Sequence, residues 1–83
     1  MELNAWIDSL LPPDASVAAR STVAAERLGE KRRTVDSWRR FENPPSFKSA
    51  LNIIRVSGGV VDFNGIYNPF VVALMEGRSK LKI

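Results

Sequence analysis

Helix breakers punctuate this chain at short intervals, and their spacing restricts it to small helical elements. Pro12-Pro13, Gly29, Asn43-Pro44-Pro45, Gly58-Gly59 and Asn68-Pro69 interrupt the sequence, leaving stretches of roughly eight to fifteen residues between them. Proline removes an amide donor and crowds the preceding turn, whereas glycine allows a left-handed exit from a helix. Between the breakers, apolar residues recur at three- and four-residue steps. Leu3, Trp6, Ile7, Leu10 and Leu11 predict a first helix over residues 2–11 that stops at the paired prolines.

Two starts are open for the second helix. Asp14 can cap a helix from about Ala15 to Leu28, or a loop ends near Arg20 and Ser21 or Thr22 caps a shorter one that covers at least Val23–Leu28. Gly29 ends it in either case. A third helix begins at Arg32 and carries Val35, Trp38 and Phe41 before Asn43-Pro44-Pro45. Ser46 caps a fourth, with Phe47, Ala50, Leu51, Ile53 and Ile54 as its apolar stripe. A short extended piece is expected around Val60–Phe63. Asn68-Pro69 then reads as the start of a last helix, where Phe70, Val71, Leu74 and Met75 share a face before Gly77. The fold class is therefore all-α, with four to five helices in one domain over residues 1–83. Residues 60–83 serve as a dimerisation or core-closing tail, because their apolar side chains exceed what a four-helix core of this size needs.

The chain contains neither cysteine nor histidine. Disulfides, thiol chemistry, imidazole bases and the usual zinc sites are therefore excluded. Asp62 and Asn64 supply two oxygen ligands in a turn, which make no metal site. Gly58-Gly59 and Gly65 lack the strand-to-helix setting of a phosphate loop. With no paired carboxylates in a pocket either, the chain is not expected to be an enzyme, and no cofactor is expected. Apolar runs such as Phe70–Met75 are too short to cross a bilayer, and the first residues lack the order of a signal peptide. An intracellular, cytoplasmic protein is the expectation.

Charge is concentrated in one place. Residues 1–19 hold Glu2, Asp8 and Asp14 and no cation, whereas residues 20–40 hold seven Arg or Lys against Glu26, Glu30 and Asp36. A local basic block in a chain of net charge +3 points to a nucleic acid as the anionic partner. The block coincides with a helical hairpin, STVAAERLG, EK, RRTVDSWRR, over residues 21–40. Ala25 is small enough for close helix approach, Gly29 suits the turn, and Val35 and Trp38 pin the second helix inward beside Ala24 and Leu28. Lys31, Arg32, Arg33, Thr34, Ser37 and Arg40 remain on the outer face. Lys31, Arg32 and Arg33 stand at a helix N-terminus, where the dipole disfavours cations, so an anion is wanted there.

This spacing resembles the helix-turn-helix of phage repressor and Cro-like proteins. The stretch ALNIIRVSGGVVDFNGIYNP, residues 50–69, is similar to the segment that follows the motif in small Cro/YdaS-like regulators. The resemblance covers about residues 21–69 and departs from the family at Glu30, where an apolar residue usually follows the turn glycine, and in the long Pro12–Arg20 link between the first two helices. It implies sequence-specific binding of double-stranded DNA by a phage or prophage transcriptional repressor, a homodimer located with the bacterial nucleoid. The third helix then reads the major groove, and the expected DNA-binding residues are Ser21, Thr22, Lys31, Arg32, Arg33, Thr34, Ser37, Arg39 and Arg40. An excisionase, or a protein-interaction module that uses the basic face, are the alternatives.

Overall fold

The structure, a computed structural model, describes residues 1–81. Five helices follow one another with no strand among those residues: α1 (Leu3–Asp8), α2 (Val17–Leu28), α3 (Arg32–Arg39), α4 (Phe47–Val56) and α5 (Phe63–Met75). The chain is a small all-α fold. None of the helices described is long and apolar enough to cross a membrane.

Helix α2 starts at neither Asp14 nor Ser21/Thr22. Ser16 is its cap, with its hydroxyl accepting from the Ala19 amide at 3.0 Å. Gly29 closes the helix at φ 67°, and the Glu30 amide reaches back to the Ala25 carbonyl at 2.9 Å. Only a left-handed residue brings that amide into range, which is why glycine stands there. Helix α3 makes the same closure without glycine. Phe41, expected inside the helix, adopts φ 58°, and the Glu42 amide bonds to the Ser37 carbonyl at 3.0 Å. The strain of a left-handed phenylalanine is offset by packing, since its ring meets Phe70 edge to face at 5.1 Å.

The loop between α4 and α5 holds no extended segment. Gly58 and Gly59 both turn left-handed, Val61 is fully buried, and Asp62 caps α5 by accepting from the Gly65 amide at 2.7 Å. Helix α5 therefore begins at Phe63 and runs through Pro69, contrary to the start expected at Asn68-Pro69. Pro69 removes one intrahelical bond. It also helps close an apolar crevice with Leu3, Trp38, Phe41, Ile66 and Phe70, a burial that offsets the missing bond.

The core gathers Leu3, Trp6 and Ile7 of α1, Ala24, Ala25 and Leu28 of α2, Val35 and Trp38 of α3, Ala50 and Ile53 of α4, Val61, and Ile66 of α5. Alanine at 24, 25 and 50 leaves room for helix backbones to approach. Helix α2 packs on α1, α3 and α4, so it is the central element against which α3 is held. Asn52 of α4 strengthens that frame by donating to the Leu28 carbonyl at 2.9 Å, which α2 leaves without a partner at its end.

Candidate nucleic-acid interface

Helix α3 buries two side chains, Val35 and Trp38. Trp38 is 4% exposed, so it anchors the helix and is not a stacking platform. Lys31, Arg32, Arg33 and Arg40 are exposed, and Thr34 and Ser37 are partly so. Arg33, Thr34, Ser37 and Arg40 line an open cleft of about 440 Å³ together with Asn43, Pro44, Ser46 and Ser49. Arg33, Ser37 and Arg40 fall on one face because they lie four and three residues apart.

Two acids share this cleft, and both are occupied. Glu30 accepts from the Ser49 hydroxyl at 3.1 Å. Glu42 takes the Arg40 guanidinium at 2.9 Å. Arg32 pairs with Asp36 one turn along, at 3.4 Å. Among the described residues no carboxylate pairs with Lys31 or Arg33.

The N-terminus of α3 is electrostatically unsatisfied. Ser16, Ser46 and Asp62 cap α2, α4 and α5, whereas Lys31 precedes α3 with no side-chain cap and no acid follows in the first turn. Three successive cations and the positive end of the helix dipole thus stand together. Ser37 is held in place by Asn43, whose amide donates to its hydroxyl at 3.0 Å. Sequence reasoning gives Asn43 no role beyond ending the helix, and only its place there marks it.

Three expected contact residues do not belong to this surface. Ser21 is fully buried in the middle of α2, because the cap at Ser16 starts the helix well before it and turns that position inward. Thr22 also lies within α2, where its hydroxyl donates to the Ala18 carbonyl at 2.9 Å and offers no helix-end contact. Arg39 is only 11% exposed at its side chain and donates to Asp8 of α1 at 2.6 Å. The same Asp8 carboxylate lies 3.6 Å from Arg20 of α2, and Asn4 donates to the Arg39 carbonyl at 3.3 Å. Asp8 therefore ties α1 to both helices of the hairpin. The candidate surface reduces to Lys31, Arg32, Arg33, Thr34, Ser37 and Arg40. No family model, no curated protein and no solved structure matches the chain.

Proposed function

We propose that the chain binds double-stranded DNA in a sequence-specific way, as a homodimeric repressor of the phage and prophage type, and that it catalyses no reaction. The observation that carries this reading is the division of α3. Its inner face is reduced to Val35 and Trp38 on a rigid α2 frame, and its outer face presents Arg33, Thr34, Ser37 and Arg40 along an open cleft. A helix supported from behind with a polar outer face is what the major groove admits.

Roles follow from position. Arg33, in the first turn and with no carboxylate partner among the described residues, reaches base edges, where its planar guanidinium makes two hydrogen bonds to guanine O6 and N7. Thr34 and Ser37 extend the reading face. Lys31 and Arg32 take phosphates at the uncapped N-terminus, and Arg40 takes one at the other end after leaving Glu42. One such helix reads only about 4–5 base pairs, which is why two copies on a two-fold site are needed.

Selection from a random duplex pool at about 0.15 M salt tests the reading, and a palindromic motif is the expected result. Three phosphate-binding cations per copy then give a log–log salt slope of about −5 for the dimer. Recovery of no motif, with a slope near zero, contradicts the proposal.

A further inference from the structure

Helix α5 is apolar on both sides. Ile66, Phe70 and Ala73 face the core, yet its solvent side carries Phe63, Tyr67, Val71 and Met75 at four-residue steps, and no residue from Phe63 to Met75 is charged. Asn64 and Asn68 are its only exposed polar side chains, so most of its circumference is of the kind that helices bury. The stripe continues onto α4, where Phe47 stacks on Phe63 with ring centroids 5.7 Å apart, Phe63 stacks on Tyr67 at 6.3 Å, and Leu51 follows Phe47 by one turn. Tyr67 is fixed within it by donating to the Pro45 carbonyl at 2.8 Å. The stripe is thus an ordered surface laid across two helices.

Its size and lack of charge bear on what covers it. Phe47 is 66% exposed, Leu51 47%, Phe63 40%, Val71 50% and Met75 85%. Side chains of this size leave on the order of 100 Å² each in water at these fractions, so the five together present roughly 500 Å². That lies toward the upper end of the largest apolar patch on a monomer, about 300–600 Å². It is also well over half of the ~800 Å² that each partner contributes to a standard interface. An uncharged stripe is complementary to itself, as a two-fold contact requires.

We infer that the Leu51–Phe47–Phe63–Tyr67–Val71–Met75 stripe is the two-fold seam between two copies of this chain. The inference deepens the DNA-binding reading and rests on it for the need of a second copy; the seam itself makes no use of DNA. Of the apolar residues after α4, the structure turns Ile66 and Phe70 inward and leaves Phe63 and Val71 for the seam.

Sedimentation of the full chain without DNA, from about 1 to 100 μM, tests the seam directly. The expected species is a dimer of the 9.2 kDa chain. Val71→Glu and Leu51→Glu, each at an exposed site, should weaken the dimer at least tenfold while leaving the melting curve of the dilute protein unchanged. The same variants should keep the affinity for a single half-site and lose the gain from a palindrome. A wild-type chain that stays monomeric at 100 μM overturns the inference. So do variants that remain fully dimeric. A monomer whose stripe binds a hydrophobic dye leaves the face uncovered and likewise overturns it. Failure of the DNA reading is distinct: a dimer that both substitutions break, but that binds no duplex, leaves the seam standing and removes the repressor.

Discussion

Replacing Trp38 with alanine tests whether α3 is held from behind. The indole is 4% exposed and lines both the polar cleft of α3 and the crevice of Leu3, Phe41, Ile66 and Phe70. A buried aromatic of this kind removes about 150–250 Å² from water, which at ~25 cal/mol per Å² is about 4–6 kcal/mol before allowance for a compact unfolded chain. With that allowance, and with the cavity left behind, a loss of about 3–5 kcal/mol is expected. A chain of 83 residues has only about 4–12 kcal/mol of stability in all. Urea unfolding followed by circular dichroism should show a large drop in midpoint or no cooperative transition, with Trp38→Phe in between. Retention of the parent midpoint in Trp38→Ala, with DNA affinity alone abolished, would make Trp38 a DNA-touching residue and refute the anchoring argument.

Three other substitutions probe the α3 surface and its supports. The buried Ser21 hydroxyl has no partner, so Ser21→Ala should leave stability unchanged or raise it by about 1 kcal/mol and leave DNA affinity untouched; a drop in affinity measured by titration would return Ser21 to the interface. Asp8→Ala strands the Arg39 guanidinium, while Arg20 keeps its bonds to the Pro12 and Pro13 carbonyls, and should cost about 1–3 kcal/mol in chemical denaturation, less than a wholly buried pair because Asp8 is partly exposed. Glu42→Gln frees Arg40 from its 2.9 Å ion pair and should strengthen binding to specific and random duplexes alike, by roughly three- to tenfold at low salt; an unchanged affinity in fluorescence titrations would show that Arg40 meets no phosphate.

The sequence carries local information well and distant partners poorly. Val35 and Trp38 recur at helical spacing within one short segment, so the inner face of α3 and its polar outer face are legible. Gly29 likewise marks its own turn. The start of α2 is ambiguous because Asp14, Ser21 and Thr22 all read as caps, none of them the Ser16 that the structure uses, and nothing local says that Ser21 is turned inward. Arg39 looks like any exposed helix cation until Asp8, 31 residues away, is folded against it. Asn68-Pro69 misleads for a different reason. A cap-and-proline pair is a strong start signal, but Asp62 supplies an earlier cap, and the buried face of Ile66, Phe70 and Ala73 carries the helix through the proline. The inward stripe of α4 is narrower than its apolar residues suggest, since Ala50 and Ile53 take the core side while Phe47 and Leu51 stay outside.

The central claim, that α3 reads bases through a few named side chains, is tested most directly by titrating Arg33→Ala. Each titration uses two duplexes, the best selected site and a scrambled one of equal length, with the wild-type chain and Arg40→Ala in parallel. Arg33 stands in the first turn of α3, with no carboxylate partner among the described residues and its side chain at the cleft. Its removal should cost about 1–3 kcal/mol on the selected duplex, relax the preference at one base pair per half-site, and change binding to the scrambled duplex little. Arg40→Ala should weaken both duplexes alike and flatten the salt slope by about one unit for each phosphate no longer neutralised. Equal losses on the two duplexes for Arg33→Ala, with no relaxed position, would contradict the account.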